Sequence, residues 1–292
     1  MTSPSLDFFI MIVVVFSGSR YADWRIADKK RILHGFRTPG INSYIQDERY
    51  ITQLLNKSNH LINNAEKIRK IFFFGAGVSS PERQQKIEQT FAQFFKNAKV
   101  KAGHDMEASA KSTFGDERGI VGIIGSGSNA AYYNGRKVLP NNYGMGYILA
   151  DEGSTNWLGR QLLKDFLTET MPSSIREKLL HKYNIDRRSI LERVYYNPNP
   201  NLFLTSFADF IYEHRDEPYF TQHIKRGLDI YIRTYLIPLS ESYPDSQFNF
   251  TGSVANNYAS WLRELGAEHG LHIGSIIKEP VQNLIKYYIN KN

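Results

Sequence analysis

The chain has 292 residues, which suggests about two domains, with 36 Lys and Arg, 29 Asp and Glu, and a formal charge of +7. It contains no cysteine, which excludes disulfides, thiolate zinc sites, cysteine-held iron–sulfur clusters and a cysteine nucleophile. Apolar residues make up 41% and charged residues 22%, as in an ordinary globular protein, and no run of five like charges marks a nucleic-acid-binding arm.

The apolar run Phe8–Phe16 is nine residues long, and a membrane span needs about 20. The preceding MTSPSLD carries no base, so it does not read as a signal peptide. The run predicts a buried strand that ends in the turn Ser17-Gly18-Ser19. Only seven residues precede that strand, which leaves no room for a helix-turn-helix. A second strand over Asp23–Ala27 follows, and the basic cluster Lys29-Lys30-Arg31 reads as a solvated turn.

Residues 47–63 predict a helix, and Ile71–Phe74 a short buried strand closed by Gly75-Ala76-Gly77. Residues 81–97 start with Pro81 and place Ile87, Phe91, Phe94 and Phe95 at helical spacing. A strand from Val100 runs to His104-Asp105, and a helix then carries Ala108, Ala110 and Lys111. The pattern restarts at Gly119–Ile124, which ends in Gly125-Ser126-Gly127-Ser128. Tyr132–Val138 reads as the next strand, with a turn at Asn134-Gly135. Helices are predicted over 154–168 and much of 173–235, a strand over Phe248–Phe250 closed by Thr251-Gly252-Ser253, and a helix over 255–268. Strands alternating with helices indicate an α/β chain of two similar lobes, 1–117 and 118–292. The first lobe holds 17 bases and 12 acids, so most of the excess charge lies there.

Four strands thus end in Gly/Ser turns: Ser17–Ser19, Gly75–Gly77, Gly125–Asn129 and Gly252–Ala255. Each alone serves as a tight turn. Several in register fit a phosphate, because glycines let backbone N–H groups approach oxygens and hydroxyls add donors. Asp105 has two readings, a helix N-cap and a general base. In Asp151-Glu152-Gly153-Ser154, Ser154 reads as a cap. The eight histidines show no zinc spacing, and no metal-ligand set is expected.

Taken in order, these motifs resemble the bacterial N-acetylglucosamine-kinase-like proteins of the BadF-type ATPase family, in the sugar kinase, Hsp70 and actin superfamily. The resemblance rests on Ser17-Gly18-Ser19 with Asp23-Trp24, Gly75-Ala76-Gly77, Asp105 with Ala108, Ile124–Asn129, Gly146–Ser154 and Gly252–Ala255. Tyr195-Tyr196-Asn197-Pro198 and Asn201–Leu204 resemble the family's helical insertion. The match runs from about Phe8 to Tyr288. It implies two ribonuclease-H-like lobes of an actin-like ATPase fold around a central cleft, with the helical insertion in the second lobe and a last helix free to pack back on the first. It implies ATP-dependent phosphorylation of an amino sugar such as N-acetylglucosamine at the 6-hydroxyl. Asp105 matches the catalytic base, and Asn42, Asp105, Asn129 and Asp151 match sugar contacts. Ser17, Gly18, Ser19, Gly125, Ser126, Gly127 and Ser128 match phosphate loops, and Gly252 and Ser253 the loop near the adenosine. ATP and Mg²⁺ are the implied cofactors, an amino sugar and a nucleotide the partners, with no nucleic acid and no membrane. Relatives imply a cytoplasmic homodimer.

One departure bears on chemistry. In the family the first strand ends in an aspartate that holds waters of Mg²⁺; here Phe16 stands there, and Arg20, Tyr21 and Ala22 replace Thr, Lys and Thr. Ala150 replaces a glycine. Phenylalanine offers no oxygen ligand. This predicts metal-assisted transfer weakened or lost with sugar binding kept, and leaves a catalytically inactive sugar- or nucleotide-binding relative as the alternative. The absence of cysteine removes the electron-passing activator ATPases of the same family.

Overall fold

A computed structural model describes residues 11–291. They form two compact units: the described residues up to Gly115 together with those from Glu279 onward, and Asp116–Lys278. In the first unit β1 (Met11–Ser17), β2 (Tyr21–Ala27), β3 (Ile32–Pro39), β4 (Ile68–Gly75) and β5 (Lys99–His104) make a sheet in the order β3-β2-β1-β4-β5. The β1–β2 and β2–β3 pairs are antiparallel, and β1–β4 and β4–β5 are parallel. Phe8–Ile10, the front of the predicted first strand, lie outside the described residues.

The unbroken apolar run suits a strand covered on both faces. Val13 and Val15 enter one core with Trp24, Leu55, Phe73 and Phe91. Ile12 and Val14 enter another, where Phe16 also packs. That second core is closed by Val281, Leu284, Ile285 and Tyr288, at i, i+3, i+4 and i+7 of the helix Val281–Asn290. So the final helix belongs to the first unit.

In the second unit β6 (Arg118–Ile124), β7 (Ser128–Asn134), β8 (Phe248–Thr251) and β9 (Ile273–Ile277) take the order β7-β6-β8-β9. This repeats β2-β1-β4-β5, with one antiparallel pair and two parallel ones. A run of helices joins β7 to β8, including Thr155–Leu167, Ser173–Lys182, Arg187–Tyr195 and Pro218–Tyr231. Pro218–Tyr231 continues into a π-helical turn, Ile232–Leu236, just before Pro238. Proline lacks an N–H and crowds the preceding turn, which accounts for the local widening.

Several boundaries differ from the sequence reading. The strand expected at Tyr132–Val138 starts four residues earlier, at Ser128, so the Gly/Ser turn before it is a β-hairpin turn. Val138 makes only an isolated bridge to Tyr133. The helix expected over 47–63 breaks after Asn56, and the one over 255–268 breaks at Tyr258. The helix expected to 97 ends at Phe94. Edge strands β3 and β9, which carry Gly35 and Gly274 and bury little, leave no clear pattern in the sequence.

Trp24 ties β2 to the neighbouring strand β3 and to the helix Pro81–Phe94. It is fully buried, lies parallel to Phe36 (5.7 Å between ring centroids) and Phe91 (5.9 Å), and its Nε1 donates to Thr38 Oγ1 at 2.9 Å. Trp24→Ala is expected to cost about 3–5 kcal/mol, read as a lower urea midpoint at unchanged slope.

Candidate functional site

The first unit gathers three loops at the carboxyl ends of β1, β4 and β5. Ser17 ends β1 with its hydroxyl buried, donating to Ile41 O and accepting from Ile41 N–H, each at 2.8 Å. The Gly18 N–H closes the hairpin on Tyr21 O at 2.9 Å. These groups of Ser17 and Gly18 are therefore committed to the fold, while Ser19 and Arg20 stand exposed.

Pinning Ile41 sets the loop that bears Asn42. Asn42 Oδ1 accepts from Tyr44 N–H at 2.9 Å, and its own N–H donates to Gln46 Oε1 at 2.9 Å. A Cβ on Gly77 would sit 1.9 Å from Asn42 Oδ1, so the Gly75–Gly77 turn is what makes room for that carboxamide. Ser43 Oγ donates to Gly77 O at 3.0 Å and joins the two loops.

Asp105 opens the helix Asp105–Phe114, and the N-cap is His104, not Asp105 as the sequence suggested. His104 Nδ1 has two possible partners. Protonated, it donates to Asp105 Oδ1 at 2.9 Å. Unprotonated, it accepts from Met106 N–H at 3.4 Å and leaves the buried Oδ1 without a donor. Burial alone pushes the Asp105 carboxyl up. The His104 charge, its hydrogen bond and the backbone N–H groups of Met106 and Asp105 outweigh this, so the carboxyl lies below its ordinary value. Burial lowers His104, but Asp105 and then Glu107 prevail and hold it above its ordinary value. The helix N-terminus also favours the negative charge.

In the second unit the sequence-predicted residues converge on the β6–β7 turn. Gly125 N–H donates to Gly127 O at 2.9 Å. The first N–H groups of the helix Thr155–Leu167 donate to the turn, Thr155 to Gly125 O at 2.9 Å and Asn156 to Ser126 O at 3.2 Å. Ser154 caps that helix by accepting from Trp157 N–H at 3.2 Å. Asp151 has φ 65 and accepts from Ser128 N–H at 3.0 Å, while Ser128 Oγ donates to Glu152 O at 2.8 Å. Gly252, at φ 114, brings its backbone so close that a Cβ would meet Ile124 O at 2.3 Å. Its N–H donates to Ile277 O at 3.0 Å, and Ser253 begins a helix of only five residues. Asn129 follows on β7; its Oδ1 accepts from Ala130 N–H at 2.8 Å.

Three contributors to this cluster are not visible in the sequence. Tyr231 donates its hydroxyl to Asn129 O at 2.9 Å, and Tyr235 donates to Glu152 Oε2. Burial, then Glu152, pushes the Tyr235 phenol above its ordinary value, so it stays a donor. Asn156 is buried with its Oδ1 lacking a donor. The tyrosines stand more than 80 residues from their partners, and no local pattern announces such a contact.

Mg²⁺, the implied metal, finds a poor fit at the end of β1. Phe16 pairs across to Asp23 on β2, and the Asp23 carboxylate is taken by Arg37 at 2.6 Å. Among the described residues no group of three or more His, Asp or Glu is placed to hold a metal ion, and no helix is long and apolar enough to cross a membrane.

The His104–Asp105 pair has a pH signature. The lowered Asp105 contributes stability above about pH 3.9, lost as pH falls through its native value; the raised His104 contributes below about pH 6.5, lost as pH rises through its native value. The stability lost in His104→Gln, from urea unfolding, is therefore expected to be larger at about pH 5.5 than at about pH 8.5.

No protein-family model matches the chain, and no curated protein does. Among solved structures it is similar to a putative N-acetylglucosamine kinase from Porphyromonas gingivalis, 34% identical with a TM-score of 0.89, covering 96% of this chain and 99% of that one. A putative N-acetylglucosamine kinase from Chromobacterium violaceum is 14% identical with a TM-score of 0.62, over 96% and 99%. A ROK family glucokinase from Streptomyces griseus, solved with glucose and AMPPNP, is 11% identical with a TM-score of 0.56, over 94% and 98%. The last two establish the fold alone, whereas the first, by identity over nearly all of both chains, establishes kinship: the chain belongs to the family of N-acetylglucosamine-kinase-like proteins that the Porphyromonas gingivalis structure represents.

Proposed function

We propose that the chain is a sugar kinase that transfers the γ-phosphoryl group of ATP to the 6-hydroxyl of an amino sugar such as N-acetylglucosamine. The kinship at 34% identity supports the reaction class, and the placement of Asp105 at the start of a helix, at the carboxyl end of β5 and with its Oδ1 2.9 Å from His104 Nδ1, is the observation that carries the chemistry. Asp105 takes the proton of the 6-hydroxyl while that oxygen attacks the γ-phosphorus, and the bond from phosphorus to the leaving ADP oxygen breaks. A carboxylate below its ordinary value is ionised at neutral pH, the form that can accept a proton, though the same charge pairing lowers its basicity. Asn42, Asn129 and Asp151 hold the sugar hydroxyls. Ser19 and Gly125–Ser128 attend the phosphates, Ser17 and Gly18 shape the turn that presents Ser19, and Gly252 and Ser253 attend the adenosine. We read the two units as ribonuclease-H-like lobes of an actin-like ATPase fold, the helices between β7 and β8 as the insertion, and the family as the BadF-type ATPases. A cytoplasmic setting and a homodimer belong to the same proposal.

Asp105→Asn keeps the size of the side chain and removes the base. It is expected to lower kcat by about 10²–10⁴, measured by coupled ADP release, while calorimetry still detects N-acetylglucosamine binding. Loss of sugar binding together with activity would assign Asp105 to holding the sugar rather than to taking its proton.

A second reading has its own observation: Phe16 at the end of β1, with Asp23 engaged by Arg37. On this reading the chain binds the sugar but transfers phosphate poorly. Calorimetry then finds N-acetylglucosamine binding without Mg²⁺-dependent ATP binding, and Phe16→Asp raises a low turnover. Wild-type turnover within the usual kinase range of about 1–100 s⁻¹ would dispose of it.

A further inference from the structure

The first unit holds a cavity of about 450 Å³, within the range of small-molecule sites. It lies between β3 and the helix Glu48–Asn56 with its C-cap Lys57. Asn42, Asp105 and Ser17–Ser19 do not line it. One wall is a single helix stripe: Tyr50, Gln53, Leu54 and Lys57 stand at i, i+3, i+4 and i+7. Leu54 is buried, but Tyr50 leaves 42% of its surface open. The facing wall is aromatic. Phe36 of β3 lies parallel to Trp24 on one side and stacks with His60 on the other, 4.9 Å between centroids.

The charge around this cavity is one-sided. No Asp or Glu lines it. Its Arg37 is neutralised by Asp23 and Glu279, each at 2.6 Å. Lys57 forms no ion pair among the described residues, so its ammonium stands at the rim without an acid partner. Aromatic walls favour a flat ring, and an unopposed ammonium favours an anion on that ring. We propose that this cavity binds a small aromatic acid of one or two rings, with the ring against Tyr50 and the edge of Phe36, whose two faces are taken by Trp24 and His60, and the acid on Lys57. The site is separate from the sugar-kinase machinery and does not depend on that reading.

The probe is 2-naphthoate, titrated into the full chain by calorimetry, with neutral 2-naphthamide as control. The expected result is saturable binding of the acid. It should be weakened about tenfold or more in Lys57→Glu and for the amide, since a hydrogen bond to a charged group is worth that much. Gln53→Trp, at an exposed position, fills the mouth and should abolish binding. Asp105→Asn should leave it unchanged. The proposal is overturned if wild type shows no saturation, if Lys57→Glu binds as well as wild type, if the amide binds as well as the acid, or if Asp105→Asn removes the binding.

Discussion

The first sheet depends on one strand that has no face left for water. Residues 12–15 of β1 are buried, and alternate side chains feed two different cores. A strand so covered must satisfy every polar group internally. At its end that demand falls on Ser17, whose hydroxyl both gives to and takes from the backbone of Ile41. The same burial that makes the strand therefore fixes the loop carrying Asn42. β6 occupies the corresponding place in the second sheet, with Ile120, Val121 and Ile124 buried, and it too ends in a turn held by distant backbone.

That second turn is fastened differently. The first sheet uses a hydroxyl; the second uses a carboxylate and a helix start. Asp151 adopts a left-handed backbone, which costs about 1–2 kcal/mol for a non-glycine residue. The cost is offset by the Ser128 N–H on its carboxylate and the Ser154 N–H on its carbonyl. Meanwhile the helix Thr155–Leu167 directs its first N–H groups at the carbonyls of Gly125 and Ser126. Its positive end thus orients the turn. Gly127 tolerates no side chain there, because a Cβ would stand 2.9 Å from the Asp151 carboxylate. Glycine at this point serves the clasp of Asp151 as much as any phosphate.

Much of the architecture was legible because burial writes strong patterns. The run through β1 reads as a two-faced strand, and the turn at Asn134-Gly135 carries its own chemistry, with Asn134 Oδ1 accepting from Arg136 and Lys137 N–H. What stayed hidden has physical causes. β3 is an edge strand with partial burial throughout, so its alternation is faint. β7 begins with Ser128-Asn129-Ala130-Ala131, residues with little strand preference, and its pairing with β6 is set by the hairpin. Asp105 is itself the first helical residue, so the cap position falls one residue earlier, on His104. Of the candidate residues, Gly125–Ser128, Asn129, Asp151 and Gly252 were legible as a group through their motifs. Tyr231 and Tyr235 were not, since they read as ordinary core aromatics on a helix and reach the cluster only through the packing of the unit.

Phe16 has its own place in the packing of the first sheet. Across β1, β2 and β3 it stands directly opposite Asp23, and Asp23 opposite Arg37, so all three side chains share one face. Arg37 bridges Asp23 and Glu279, and those two carboxylates, Asp23 first, hold its guanidinium above its ordinary value. The row is thus a single cation shared by two acids beside an apolar ring. A carboxylate at position 16 would face Asp23 as a like charge directly across an antiparallel pair, a destabilising arrangement worth about 0.2–1 kcal/mol. It would also stand on the face where Phe16 now packs with Ile12 and Val14. The apolar residue and the Arg37 bridge therefore support each other: with Phe16 in place, one arginine suffices to neutralise Asp23, and the end of β1 closes as core.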